Sequence, residues 1–288
     1  MTLVAASLAL LAGALFGLTV FAQSKGLEDT DAFTGAFLSI GFMACLLWIF
    51  SPAMVEWHWM TSGAALIFLA GGLLFPAGGQ TLQVLSITRL GPALTAAFSG
   101  MSPVFAVVPA ILFLGEDFGL QGVLGLGLIM ASLFYSAFGS RKITRSWPLW
   151  VLLIPLGASA ARGIVQPFTK IGFQEIPSPY FATMLQATTS TILLLLILRL
   201  PAVAAKRRAG GQGWKWFCLT GLLNFFGIQS LNAAINLGAV TVVAPLSSTV
   251  PLWTLAYGVF LFRREKVGLR HLVIAVLVVS GVVLIVMR

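Results

Sequence analysis

Residues 89–122 read RLGPALTAAFSGMSPVFAVVPAILFLGEDFGLQG, and residues 236–271 read NLGAVTVVAPLSSTVPLWTLAYGVFLFRREKVGLRH. The two stretches are versions of one pattern. Leu90-Gly91 matches Leu237-Gly238 at a separation of 147, Pro103 matches Pro251 at 148, and Glu116 and Gly119 match Glu265 and Gly268 at 149. Two single-residue insertions account for the drift. Upstream, Lys25 and Lys170 each close the first apolar run of their half, 145 apart. Each match alone is weak, but matches in constant order at near-constant spacing mark an internal repeat.

Around this repeat the chain is apolar almost throughout. Of the 288 residues, 59% are hydrophobic and only 9% are charged, whereas a soluble domain carries roughly a quarter charged residues. Eight acids and seventeen bases cannot cover the exterior of a soluble fold of this size. Apolar runs of about 17–22 residues recur, long enough at 1.5 Å per residue to cross roughly 30 Å of hydrocarbon. The expected spans are 3–22, 33–51, 60–80 (with helix continuing toward Arg89), 92–114 and 119–138, then 149–169, 180–199, 215–236, 240–262 and 268–287. The first is read as a helix and not a signal peptide, because no basic residue precedes it. Trp57 and Trp59, Trp147 and Trp150, and Trp214 and Trp216 sit at span starts, where indole rings prefer the headgroup zone. Trp253 is mid-span, packing toward lipid or lining a cavity.

The expected fold is therefore all-α and integral to the membrane, with ten transmembrane helices in two five-helix repeats, residues 1–140 and 141–288. Because five is odd, the second repeat enters the membrane from the opposite face, which makes the repeats inverted. Such folds place the substrate near the midplane, between the halves.

The run MSPVFAVVPAILFLGED at 101–117, followed by GLQGVLGLGLIMASLF at 119–134, resembles the drug/metabolite transporter superfamily in its EamA-like branch. The second copy keeps Pro251 and Glu265 but has FRRE in place of LGE. LLAGALFGL at 10–18 and HLVIAVLVVSGVVLIVM at 271–287 are similar to that family's opening and closing helices. The resemblance covers nearly the whole chain. It implies a central cavity, alternating access and transport of a small metabolite, often its export, but it does not name the substrate.

Arg162 is the one charge lying deep in a span, about 21 Å into the sixth. A charge at that depth costs several kcal/mol and usually faces a cavity. The reading is a guanidinium that holds a carboxylate or phosphate bidentately; the alternative is snorkelling to the span's end, about 9–10 Å away. Gln166 is one turn further on the same face. Gln80 and Gln83 in the third span, and Gln229, Asn232 and Asn236 in the eighth, fall at corresponding places in the repeats. They suit opposite walls of one cavity, or alternatively hydrogen bonds between helices. Ser99, Ser102 and Pro103 mirror Ser247, Ser248 and Pro251. Matched interruptions of this kind point to a transporter's binding site, and a static kink is the plainer alternative. The candidate substrate-binding residues are Arg162, Gln166, Gln80, Gln83, Asn232, Gln229, Ser102 and Ser248, with Pro103 and Pro251 as hinges. Gly13 and Gly17 form a small-residue pair for close helix packing. Cys45 and Cys218 lie in apolar segments and imply no disulfide framework.

No metal-ligand spacing or cofactor motif occurs, so neither metal nor cofactor is expected. The acids, Glu28, Asp29, Asp31, Glu56, Glu116, Asp117, Glu175 and Glu265, all lie in loops or at span ends. That speaks against a buried carboxylate alternately binding a proton and a cationic drug. It favours an anionic, zwitterionic or neutral solute; taken with Arg162, the leading reading is a carboxylate-bearing or zwitterionic solute such as an amino acid, and the alternative is neutral or cationic drug-like compounds. A membrane enzyme would need paired intramembrane aspartates, a zinc motif or an activated nucleophile, and none is present. A receptor or assembly subunit is the remaining class. The expected partners are a small-molecule substrate and the bilayer of the inner cell membrane, with no nucleic acid; a monomer suffices, and a homodimer is compatible. Fourteen of the seventeen bases fall in the loops after spans 1, 3, 5, 7 and 9. The positive-inside rule then places both termini outside, whereas the family resemblance implies both inside.

Overall fold

A computed structural model describes residues 3–91, 94–95, 98, 100–138, 148–205, 207–208, 210–261 and 269–287. The sequence readings at Ser99, Arg141, Lys142, Arg145, Trp147, Lys206, Glu265 and Gly268 fall outside these residues, and of Pro251 only the backbone is described. Among the described residues the regular elements are helical. In chain order they are α1 (Leu3–Gly26), α2 (Ala32–Met54), α3 (Gly63–Leu90), α4 (Ser102–Leu114), α5 (Leu120–Phe138), α6 (Leu149–Glu175), α7 (Pro179–Leu198), α8 (Gly213–Leu237), α9 (Val240–Val259) and α10 (Leu269–Val286). Seven of them, α1 to α3 and α6 to α9, are long and apolar enough to cross a bilayer; the apolar helices in α4, α5 and α10 are shorter. Large apolar side chains such as Leu66, Leu112, Leu120 and Leu196 stand more than half exposed, as suits surfaces that meet lipid.

Short polar signals set the helix ends. Asp31 accepts from the Phe33 and Thr34 N–H groups at 3.0 Å and starts α2. Ser62 caps α3 through Ala65 N–H at 3.1 Å, and Ser178 caps α7 through Phe181 N–H at 3.2 Å. Each oxygen satisfies a donor that the first helical turn leaves free. Gly115 stops α4 in a left-handed conformation, φ 62°, which a residue without Cβ adopts readily.

Two spans are broken. In α3, residues 71–79 read GGLLFPAGG, and Phe75 leaves the helical range at φ −148°, ψ 129°. The backbone groups that this frees are met by one side chain of α7. Ser190 Oγ donates to Gly72 O at 2.6 Å and accepts from Ala77 N–H at 3.0 Å. In α9, residues 248–249 separate the helical segments Val240–Ser247 and Val250–Ala256. Pro251 lies in the first turn of the second segment, and Pro103 lies in the first turn of α4. Neither proline sits in a helix interior; in a first turn the missing N–H leaves no backbone bond unmade.

The most extensive helix pairings all cross between the two halves of the chain. Like packs on like: α2 on α7, α4 on α9, α5 on α10. Unlike pairs come in matched sets, α1 with α8 as α3 with α6, and α1 with α9 as α4 with α6. Glycines permit the closest approaches. A Cβ at Gly17 would stand 2.9 Å from Trp253 Cβ, and one at Gly13 would stand 3.0 Å from Thr249 Oγ1. Gly125 and Gly281 face each other across α5 and α10, where a Cβ on either would lie 2.7 or 2.6 Å from the other's carbonyl oxygen. Gly281→Ala is expected to lower stability by about 1–3 kcal/mol through overpacking. Gly127→Ala, whose Cβ meets nothing within 4 Å, should be neutral or slightly stabilising. Thermal melts of the two purified variants compare them directly, and equal melting temperatures would contradict the α5–α10 contact.

Candidate functional site

Arg162 lies in the middle of α6, held between α1 and α3. Its Nη2 donates to Gln83 Oε1 at 2.7 Å, and Gln83 Nε2 donates in turn to Gln23 Oε1 at 3.2 Å. The guanidinium carbon lies 5.1 Å from the centroid of the Phe16 ring and 5.0 Å from that of Phe75. Phe75 is the residue at which α3 loses its helical backbone, so the break delivers this ring. No carboxylate pairs with Arg162 among the described residues, where the ion pairs are Lys25–Glu28 and Glu56–His58. Two rings and one amide oxygen replace only part of the hydration that a guanidinium loses on leaving water. The side chain stays partly exposed, leaving donors for an incoming anion.

Gln166 follows one turn along α6. It is buried, and its Nε2 donates to Arg162 O at 3.3 Å, while its Oε1 has no hydrogen-bond partner among the described residues. The next residue after Arg162, Gly163, lets α6 approach the start of α4; a Cβ there would meet Ser102 O and would stand 2.7 Å from Phe105 Cβ. Ser102 Oγ in turn lies 3.2 Å from Ser248 Oγ of α9, and both are buried. The start of α4 thus meets the interruption of α9 at a pair of hydroxyls.

The remaining amides form separate clusters. Gln80 donates to Ser39 Oγ at 2.6 Å and accepts from Asn224 Nδ2 at 3.0 Å, joining α3 to α2 and α8. Asn232 Nδ2 donates to Thr183 Oγ1 at 2.9 Å, and that hydroxyl faces Pro179 O at 2.7 Å and Gln229 Oε1 at 3.2 Å. Asn236 Nδ2 donates to Pro177 O at 3.3 Å. Arg162, Gln83 and Gln166 are therefore brought together, while Gln80, and Gln229 with Asn232, engage elsewhere. Sequence reasoning missed Gln23, Asn224 and Thr183. The first two were visible as isolated amides inside apolar runs; the ring contacts of Phe16 and Phe75 left no signal in an apolar sequence.

Lys170 and the acids at the helix ends hold the site's frame. Lys170 Nζ donates to the carbonyls of Ile235, Asn236 and Gly238 at 2.7, 3.1 and 3.1 Å, closing the end of α8. Glu116 accepts from Val240 and Thr241 N–H at 2.9 and 2.8 Å, at the start of α9. Glu175 accepts from Gly63 and Ala64 N–H at 3.1 and 2.7 Å, at the start of α3. Among the described residues, no three of His, Cys, Asp and Glu come together as a metal site requires.

A guanidinium with no carboxylate partner among the described residues, set amid apolar helices with broken neighbours, suits a membrane transport protein. The chain belongs to the EamA-like transporter family, whose pattern it matches twice, over residues 3–138 and 148–287. It is thus a multi-pass membrane protein of a transporter family of the drug/metabolite type. A WAT1-related protein of Arabidopsis thaliana is 31% identical over 98 residues, a match covering 34% of this chain and 25% of that protein. A solved crystal structure superposes with a TM-score of 0.78 at 15% identity, over 98% of this chain and 96% of that one, a likeness of fold.

The Thr183–Asn232 bond gives a check on the peripheral clusters. A double-mutant cycle with Thr183→Val and Asn232→Leu should return a coupling of about 0.6 kcal/mol, up to about 1.7, read from denaturation in detergent micelles. Zero coupling would mean that these side chains do not bond.

Proposed function

We infer that the chain is a secondary transporter of a small carboxylate-bearing or zwitterionic solute, with an amino acid as the type case. It works by alternating access between two inverted five-helix repeats, residues 1–140 and 141–288, in the inner cell membrane. The observation that carries this reading is Arg162: a guanidinium in mid-span, partly exposed, with one amide and two rings around it and no carboxylate partner among the described residues. A charge is retained at such a depth when something arrives to pair with it, and a planar fork of donors suits a carboxylate. Gln83 occupies part of that fork until the solute takes its place, and the free Gln166 Oε1 offers an acceptor to an ammonium or hydroxyl of the solute.

The inverted arrangement is supported by the pairing of like helices across the halves and by the Ser102–Ser248 and Gly125–Gly281 contacts between corresponding segments. Every described acid lies at or beyond a helix end, and Asp29, Asp31, Glu116 and Glu175 accept hydrogen bonds from backbone N–H groups there. Exchange, or movement down the solute's own gradient, therefore fits better than a proton carried on a buried carboxylate.

The test begins with thermal melts of purified protein against amino acids, organic acids, neutral sugars and quaternary ammonium compounds. A carboxylate at about a hundred times its dissociation constant should stabilise by about 2.7 kcal/mol. Arg162→Ala should fold normally but lose that shift, and should cut liposome counterflow of the same solute by about 30-fold or more. Arg162→Lys should restore it poorly, because an ammonium does not reproduce the bidentate fork. Stabilisation confined to ammonium compounds, or counterflow unchanged in Arg162→Ala, would overturn the assignment.

A further inference from the structure

Away from Arg162, a cavity of about 530 Å³ opens where α1 turns into α2, beside the end of α3 and the short turn at Pro201–Ala204. Its volume falls in the range of about 300–1,000 Å³ common to small-molecule sites. Its lining includes two exposed arginines, Arg89 and Arg208, with Thr30 and Thr88 and the apolar Leu27, Phe33, Leu85 and Val203. Arg89 is exposed and makes no hydrogen bond or ion pair among the described residues. Arg208 is fixed: its Nη2 donates to the Leu27 and Glu28 carbonyls at 3.1 and 3.2 Å, which sets its guanidinium against the wall.

One acid also faces this space, but its charge is already committed. Asp31 accepts from Phe33 N–H and Thr34 N–H through Oδ1 and from Arg208 N–H through Oδ2. Burial raises its pKa, yet the hydrogen bonds from Thr34, Arg208 and Phe33 more than offset this and hold the carboxyl below the usual aspartate range. Among the described residues it makes no hydrogen bond or ion pair with Arg89. With two arginines and one aspartate in its lining, the cavity is net positive.

We propose that this cavity is a binding site for an anionic phospholipid, with the phosphate held between Arg89 and Arg208 and the first methylenes of the acyl chains against Leu27, Phe33, Leu85 and Val203. The chemistry decides between ligands. A soluble phosphate satisfies the two guanidiniums but leaves the apolar walls wet; a neutral lipid fills the walls but leaves the charges unmatched. Only a ligand with both parts suits the whole lining. The place agrees as well, because α2 begins and α3 ends here, at the level where headgroups lie. A lipid seated there bridges the first three helices to the loop between α7 and α8, and so couples the bilayer to both halves.

The experiment uses the full chain in detergent, melted against dioleoyl phosphatidylglycerol, dioleoyl phosphatidylcholine and inorganic phosphate in turn. Phosphatidylglycerol should raise the melting temperature, with the other two giving little shift. Arg89→Gln should raise the half-saturating phosphatidylglycerol concentration about fivefold. Lys215→Gln, an exposed base outside the cavity lining, should leave it unchanged, as should Arg162→Ala, which separates this site from the solute site. An equal shift with phosphatidylcholine, a full shift with phosphate alone, or an identical titration in Arg89→Gln would each overturn the proposal.

Discussion

The bilayer interior offers no hydrogen-bond partners, so each break and each end of a helix in this chain has to be satisfied from within the protein. Several of these partners come from the opposite half. Ser190 of α7 meets the freed groups of α3. Glu175, at the end of α6, caps the start of α3, and Asp29, just past α1, accepts from Gln212 N–H at 3.0 Å at the start of α8. Glu175 and Asp29 are 146 residues apart and fill equivalent roles: the acid that follows each half's first helix holds the third helix of the other. Neither half can satisfy its own backbone alone. Folding of one is therefore tied to docking of the other.

The same constraint explains where charge is allowed. At the repeat separation of 145, Arg162 corresponds to Gly17. No side chain fits at Gly17, because a Cβ there would already press on Trp253 and Tyr257. Arg162 instead faces Phe16, Phe75 and Gln83, a space lined by two rings and one amide. The asymmetry is a packing consequence: α1 lies tight on α9, so a guanidinium is accommodated in one half only. A repeated frame thus carries a one-sided charge.

Much of this was legible in the sequence, and the limits have physical causes. The apolar runs gave most helices within several residues, since a span must match the hydrocarbon thickness, but the fourth, expected as one helix over 92–114, is described as α4 over Ser102–Leu114 only. The third ran on to Leu90. The break in α3 was harder to see, although Pro76 sits between Gly71-Gly72 and Gly78-Gly79, because proline and glycine are tolerated inside membrane helices when a neighbour supplies the bond. That neighbour, Ser190, is 114 residues away from Pro76. The acids looked like ordinary loop residues for the same reason: their targets, such as Val240 for Glu116, are distant in sequence. The amides of the third and eighth spans looked equivalent, yet only Gln83 reaches Arg162, since direction around a helix among apolar neighbours is fixed by tertiary packing.

The break in α3 and the charge on α6 belong to one device. Phe75, from the non-helical backbone, gives its ring to the guanidinium, and Gln83, two turns later in the same span, gives its oxygen. Both sides of the interruption thus grip one cation, while the backbone between them hangs on a single hydroxyl of α7. On the proposed function, a carboxylate that reaches Arg162 competes with Gln83 for the same donor. Displacing that oxygen releases the later segment of α3 from α6 and leaves the earlier one held by Glu175. Gln83 also donates to Gln23, so the release extends to α1 and through it to α9, which packs on α1 at Gly13 and Gly17. Occupancy of one guanidinium is in this way connected to both interrupted spans, without any residue moving its charge through the membrane.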